Sequence, residues 1–333
     1  MADTEKEVFT ISPTGLDTFI GCPRRYHFKH TAKISEPKTK EKTSMEWLGA
    51  DEKGTLVHRV MELYVNEAIL PISEKLGTSE VQQGSDEEKK LVSALNGIMF
   101  DEKLFQSVWS QAIMETEQEL AQQSYEAVAV PLPAKEKEMA ELDAECRGAI
   151  ANMLIQMKGK QQYPVMTEKK FGVQRDGTGT AMILKMQGRE DIGICGSIDR
   201  VDYDVTTGTF VVIDYKTGNI DKKRKMRAGT RDDLLQDRMY ALALETMYPE
   251  KKVSGSSYIF PASENQEIQE NMTEESKEAF RQRLWAEADA IREKKDVICR
   301  GHSKEYPDWD NTCKYCGYVE LCEILDVPQT DEE

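Results

Sequence analysis

Histidine is scarce in this sequence, four among 333 residues, and no stretch approaches the ~18–20 continuous apolar residues that a helical membrane span requires. The opening MADTEKEVFT lacks the basic and apolar regions of a signal peptide, so a cytoplasmic protein is expected. With 21 glycines and 11 prolines the chain has no collagen-like or low-complexity signature. No GxxxxGK[ST] phosphate loop occurs, which leaves no recognisable ATP motor, and no repeating period of 20 to 50 residues points to a solenoid or propeller. Basic residues are in deficit, 44 against 60 acidic ones, for a net charge of −16. That balance argues against attraction of nucleic acid by the whole surface and leaves a local basic groove open. Seven cysteines, an odd number with no export signal, argue against a disulfide scaffold and for free thiols or metal ligation.

What the chain does contain is enough apolar material, 39% of residues, for one large domain with an insertion or for two ordinary domains. Residues 9–30 begin with Ser12-Pro13, a helix-start signal, and Leu16, Phe19 and Ile20 then follow at helical spacing before Cys22. Residues 33–53 read as a polar loop, and GTLVHRVMELYVNEAI as a helix with His58 one position round from its apolar stripe. Residues 75–162 read as a helical insertion, broken at Pro131 and Pro133. From Val165 short β-prone runs separated by glycine-containing turns predict an antiparallel meander, followed by a helix, a strand at KVSGSSYIFPA and a long helix over 273–297. The expected divisions are 1–74, the insertion 75–162, a core 163–325 and an acidic tail 326–333.

The segment GSIDRVDYDVTTGTFVVIDYKTG, residues 196–218, predicts two strands joined by a tight turn. With Thr206 and Thr207 in the loop, Asp199 lies opposite Asp214; with Thr207 and Gly208 there, Asp199 faces Lys216. In both registers the three side chains share one sheet face. Two neighbouring carboxylates repel unless a cation lies between them, and a divalent ion with oxygen ligands and a nearby lysine suits phosphodiester hydrolysis. A solvated strand face or a simple ion pair is the competing reading, but the apolar run FVVIDY makes Asp214 and Lys216 costly without partners. Glu168 in the preceding strand offers a further acidic member of this set, with an exposed strand glutamate as the simpler reading, and Asp202 and Asp204 read as surface residues.

Asp199 followed by Asp214-Tyr215-Lys216 resembles the PD-(D/E)XK nuclease signature in its RecB-like form, with Ile198 where the name-giving proline would stand. The resemblance extends to GTLVHRVMELY, whose His58 matches that branch's metal-binding histidine, and to Gln236-xxx-Tyr240, matching its QxxxY motif. It implies an α/β core with a mixed central sheet flanked by helices. It also implies Mg²⁺ or Mn²⁺ held by His58, Asp199, Asp214 and the Tyr215 carbonyl, with Lys216 assisting the nucleophile and Gln236 and Tyr240 holding the lysine or the DNA strand.

Cys313-xx-Cys316-xxxxx-Cys322, together with Cys22 in CPRRYHF, resembles the [4Fe–4S] clamp of AddB-type helicase–nucleases, with a Cys₄ zinc site as the alternative. Such a clamp would join the two ends of the chain. Cys146, Cys195 and Cys299 have no partner spacing and read as buried or incidental thiols. Arg24, Arg25, Lys29 and His30 flank the first cysteine, and Lys222, Lys223, Arg224 and Lys225 follow the lysine motif with Arg227 and Arg231. Both groups suggest a positive track for a phosphate backbone, the competing reading being a solvated charge run. The expected function is a metal-dependent deoxyribonuclease, an exonuclease acting on single strands or DNA ends in recombination and break repair beside a helicase partner. The alternatives are a non-catalytic DNA-binding module stabilised by a metal–thiolate site and a nuclease of the kind used in CRISPR spacer acquisition.

Overall fold

A computed structural model of the chain describes residues 8–37, 46–123, 131–217, 220, 235–263, 266–298, 313 and 316–325. Among these residues eight strands run in chain order: β1 (Thr10–Ile11), β2 (Gln162–Phe171), β3 (Met182–Leu184), β4 (Ile192–Ile194), β5 (Gly196–Asp204), β6 (Thr209–Tyr215), β7 (Val253–Phe260) and β8 (Gln266–Asn271). They form a three-stranded sheet of order β1-β4-β3 and a five-stranded sheet of order β2-β5-β6-β7-β8. The chain divides into two compact units, one made of residues 1–41, 171–196 and 278–333, the other of 42–170 and 197–277. No helix among the described residues is long and apolar enough to cross a membrane.

In the unit of residues 42–170 and 197–277, the β5–β6 hairpin is set by its turn. The Asp204 carboxylate accepts the backbone N–H groups of Thr206 at 2.8 Å and Thr207 at 3.0 Å, and Gly208 takes the left-handed φ of +73° that closes the loop. Antiparallel pairing then runs from Asp204↔Thr209 to Arg200↔Ile213, a register that carries on to set Asp199 across from Asp214. It is the first of the two registers the sequence allows. Every residue of β6 from Phe210 to Tyr215 is buried, which explains the unbroken apolar run in the sequence. β6 pairs antiparallel with β5 and parallel with β7, and β8 lies antiparallel beyond β7, so the sheet is mixed. A parallel pair needs a crossover, and the helix Leu235–Met247 lies in that connection and packs on both strands.

The helix Ala50–Ala68 buries Leu56, Val57, Val60, Met61 and Tyr64 along one face. Its first turn is sealed by the Glu52 carboxylate, which accepts the Gly49 N–H. Three helices fill the expected insertion: Asp86–Gly97, capped by Ser85 through the Glu88 N–H at 3.1 Å, then Glu102–Gln123 and Leu132–Lys160. Pro131 and Pro133 sit at the start of the last helix, where a missing N–H costs nothing. Its buried stripe of Leu142, Cys146, Ala149, Ile150, Met153 and Met157 follows the helical period. The carboxylate of Glu138 on that helix accepts the N–H groups of Trp47 at 3.1 Å and Leu48 at 2.9 Å, so the insertion is fastened to the lead-in of the helix that carries His58.

In the unit of residues 1–41, 171–196 and 278–333, Ser12 caps the helix Pro13–Gly21 by accepting the Gly15 N–H at 3.1 Å, and the helix stops at Cys22 in extended backbone. Here the meander expected from Val165 onward requires correction. β3 and β4 leave that run and join β1, which pairs parallel with β4, in the separate sheet. Three-residue strands carry too short an alternation to specify a partner, and pairing with a segment near the start of the chain is invisible to local pattern. The fully buried Trp285 donates its ring N–H to the Glu190 carbonyl at 2.9 Å and so fixes the approach to β4.

Candidate active site

The residues singled out from the sequence converge on the end of the β5–β6 hairpin. The Asp199 Oδ2 accepts the backbone N–H of Tyr215 at 2.9 Å, and the carbonyl of the same Tyr215 accepts from His58 Nε2 at 3.0 Å. A carbonyl can only accept, so Nε2 carries the proton and the Nδ1 of neutral His58 turns its lone pair toward Asp199 Oδ2, 3.4 Å away. Two acceptors facing one another at that distance call for a positive charge between them. Gly54, one turn before His58, lets the helix come this close: a Cβ there would stand 3.1 Å from the Thr217 hydroxyl.

Asp214 is 2% exposed. Its Oδ2 pairs with Lys216 Nζ at 2.5 Å, and its Oδ1 accepts from Gln236 Nε2 at 2.8 Å. Gln236 also donates to the Tyr240 hydroxyl at 2.8 Å, with its Oε1 at 3.5 Å from Lys216 Nζ. The i, i+4 spacing of Gln236 and Tyr240 thus holds the carboxylate–lysine pair from the crossover helix.

Glu168 was expected to be an exposed strand residue, and the structure corrects this. It is half-buried, its Oε2 accepts the Ser197 hydroxyl at 2.9 Å, and its backbone sits at φ +41°, a strained value for a residue within a strand. One ligand atom from each of His58, Glu168 and Asp199 lies within 4.8 Å of the others, the one such cluster of three or more metal-type side chains among the described residues. Asp214 stands beside this set, turned toward Lys216.

The electrostatics run one way. Burial first, and then the charge of Asp214, push the Asp199 carboxyl well above the usual carboxylate range. Burial likewise raises Glu168, and it lowers the proton affinity of His58. Lys216 is desolvated too, yet Asp214 more than offsets that and raises it, so the side chain is an ammonium. Next to Gln236 the sequence reading passed over Asp237, which is completely buried, accepts the Ser256 hydroxyl at 2.6 Å and is pushed up to about 7 by burial and then by Asp214. When all three are ionised, Asp199, Asp214 and Glu168 outnumber the single ammonium of Lys216, so the ionised site carries a surplus of negative charge that a cation would offset. One nitrogen and several hard oxygens with that surplus are a donor set suited to a small divalent cation.

A family model of the PD-(D/E)XK nuclease superfamily matches residues 10–323. The chain belongs to the PD-(D/E)XK nuclease superfamily. Comparison with curated proteins finds no match. Asp199 lies on β5 and Asp214 on the adjacent β6 with Lys216 directly after it, and His58 and Glu168 stand beside Asp199.

The opposite face of the same two strands corrects a second expectation. Asp202 and Asp204, read as surface residues, are 3% and 9% exposed. Arg200 grips Asp202 with two bonds of 2.8 and 2.9 Å and gives a third, of 2.5 Å, to the Tyr215 hydroxyl. Asp204 is used by the turn and by Gln162 Nε2 at 3.0 Å. Tyr215 is therefore held from both sides: its peptide groups meet Asp199 and His58, and its ring is anchored by a buried ion pair.

The four cysteines singled out as cluster ligands all lie in the unit of residues 1–41, 171–196 and 278–333. Cys22, Cys313 and Cys322 are buried and Cys316 half-buried. Cys322 packs with Phe28 and Tyr318, Cys316 lies against that apolar cluster, and the Cys316 thiol, raised chiefly by burial, also feels the charge of Cys22. Cys146 is fully buried in the insertion, Cys195 is half-buried, and Cys299 lies outside the described residues. Arg24 donates Nε to the Val297 carbonyl at 3.0 Å, and Arg25 pairs with Glu36 at 2.7 Å. Lys222, Lys223, Arg224, Lys225, Arg227 and Arg231 also lie outside the described residues.

Proposed function

We propose that this member of the PD-(D/E)XK superfamily is a Mg²⁺- or Mn²⁺-dependent deoxyribonuclease of the RecB/AddB type. It would act on single strands or DNA ends in recombination and break repair, beside a helicase partner. The observation that carries this reading is the surplus of carboxylate around His58, Glu168 and Asp199, next to an ammonium held in place by Asp214 and Gln236. His58, Glu168 and Asp199 would hold the ion, with Asp214 and the Tyr215 carbonyl beside it. When bound, the ion supplies Lewis-acid polarisation of the phosphodiester and a lowered pKa for water. Lys216 acts as a fixed hydrogen-bond donor that orients the attacking oxygen and offsets charge on the phosphate, and Gln236 keeps it on target through Asp214 and Tyr240.

Cys22, Cys313, Cys316 and Cys322 are proposed as ligands of a [4Fe–4S] cluster that clamps the ends of the chain. The placement of all four cysteines in one unit, with the Cys316 thiol feeling the charge of Cys22, supports this reading. Iron and zinc content of anaerobically purified protein separates it from a Cys₄ zinc site.

The test of the nuclease reading is cleavage of end-labelled single- and double-stranded DNA, linear and circular, with Mg²⁺, Mn²⁺ or EDTA, comparing wild type with Asp214→Ala. Metal-dependent cutting that disappears in the variant is expected, and uncut circles would mark an exonuclease. Equal cutting by the variant, or none by wild type in any metal, would overturn the assignment of these residues.

A further inference from the structure

The unit formed by residues 1–41, 171–196 and 278–333 contains a cavity of about 740 Å³, within the range of ~300–1,000 Å³ typical of small-molecule sites. The β1 strand, the segment after Cys22 and the end of the helix Glu274–Arg292 supply most of its wall. Four aromatic rings line it: Tyr26 and His30 stack with ring centroids 4.8 Å apart and planes 28° apart, and Phe9 and His27 are also in the lining. The His30 Nε2 is buried and has no hydrogen-bond partner among the described residues.

The charge of the wall is the opposite of the chain's net −16. Arg175, Arg292 and Lys294 line the cavity against one carboxylate, Asp296. Asp296 is already engaged, its Oδ2 taking His27 Nδ1 at 3.1 Å and the Thr31 hydroxyl at 2.9 Å. Arg292 is held by Asp289 at 2.9 Å and by the Asp191 carbonyl at 2.8 Å. The side chains of Arg175 and Lys294 are exposed and make no hydrogen bond or ion pair among the described residues. Two uncommitted cations and several rings lining one cavity suit a phosphate joined to a planar base, the cations taking the oxygens and the rings the π face.

We propose that this cavity binds a nucleoside monophosphate unit, its base against the rings of Phe9, His27 and His30 and its phosphate on Arg175 and Lys294. The choice of a nucleotide among phosphorylated planar molecules rests on the nuclease reading of this chain. That unit has two sources, a free monophosphate released by hydrolysis or the phosphorylated terminal nucleotide of a strand.

The experiment is calorimetric titration of the full-length wild-type protein in EDTA with deoxyadenosine 5′-monophosphate, with inorganic phosphate, and with a short oligonucleotide bearing either a 5′-phosphate or a 5′-hydroxyl. Arg175→Glu and Lys294→Glu are titrated in parallel; both side chains are exposed, so the fold is retained, checked by circular dichroism. One-to-one binding of the monophosphate is expected, at least tenfold tighter than inorganic phosphate and weakened at least tenfold by each charge reversal. If the 5′-phosphorylated strand competes for the site and the 5′-hydroxyl strand does not, the ligand is a strand end; if neither competes, it is the free product. Absence of saturable monophosphate binding, or binding that both reversals leave unchanged, overturns the proposal. No metal and no cleavage enter this readout, so its failure and failure of the nuclease reading are separable.

Discussion

The two faces of the β5–β6 hairpin carry nearly the same buried chemistry and resolve it in opposite ways. On one face Asp199, Asp214 and Glu168 outnumber the single ammonium of Lys216, and the Nδ1 lone pair of His58 is aimed at a carboxylate oxygen 3.4 Å away. On the other, Arg200 and Asp202 neutralise each other through two good bonds, and the third guanidinium bond goes to Tyr215. A buried acid whose partner is already present is structural; one that accumulates without a counter-charge is poised to receive one from outside. The strands are shared, so what separates a scaffold from a site is the charge ledger of each face.

The same chemical change made on both faces should give opposite results. Asp199→Asn keeps an acceptor for the Tyr215 N–H and removes only the charge. Cleavage should fall by about 10⁴-fold, roughly 5.5 kcal/mol of transition-state stabilisation, while the melting temperature holds or rises because a strained carboxylate has gone. Steady-state kinetics beside calorimetry checks both halves, and a variant with wild-type activity would remove Asp199 from the site. Asp202→Asn leaves the Arg200 guanidinium buried without a counter-charge, and should cost about 3–5 kcal/mol in urea denaturation. The double change Arg200→Met with Asp202→Leu should recover most of that loss. A single variant of unaltered stability would show that the pair is not structural.

How far the sequence carries can be seen residue by residue on these strands. Asp199, Asp214 and Lys216 are legible because the side-chain period of a strand is two and a hairpin fixes which residues oppose. His58 and the Gln236–Tyr240 pair are legible only through their motif context, since each alone is an ordinary helix residue. Glu168 is legible only as a candidate ranked below an exposed strand glutamate, because its backbone leaves the β region at φ +41° and alternation along β2 no longer says which way it faces. Asp202 and Asp204 are misread as surface for another reason: their burial comes from Arg200, from Tyr215 on the neighbouring strand and from the turn, all of them tertiary partners. The parallel pairing of β1 with β4 has no local signal at all.

A pH measurement sharpens the comparison on the crowded face. Asp237, pushed up to about 7 by burial and by Asp214, holds a proton in the folded chain that the unfolded chain has already released. A carboxyl raised in this way adds stability that is complete below its unfolded value, near 4, and is lost as pH climbs through about 7. Asp237→Asn abolishes that titration while keeping an acceptor for Ser256. Its stability should therefore vary less between pH 4 and 8 than that of wild type, and at pH 8 it should be the more stable by up to about 4 kcal/mol. Parallel denaturation curves for the two proteins across that interval would contradict the assignment.

The smallest expected effect bears on the one residue that both faces share. Tyr215→Phe deletes the hydroxyl that takes the third bond from Arg200 and leaves in place the peptide N–H and carbonyl that meet Asp199 and His58. Losing one buried hydrogen bond to a charged group should cost about 1.5–3 kcal/mol where the guanidinium is left wanting, and nearer 1 kcal/mol here because Asp202 keeps two of its bonds. Activity should fall less than tenfold, since the ring still fills its place and the backbone still holds the carboxylate and the imidazole. If cleavage instead fell as far as in Asp199→Asn while stability changed little, the two faces would be coupled through Tyr215. The buried ion pair would then belong to the catalytic apparatus as the anchor that sets the distance between His58 and Asp199.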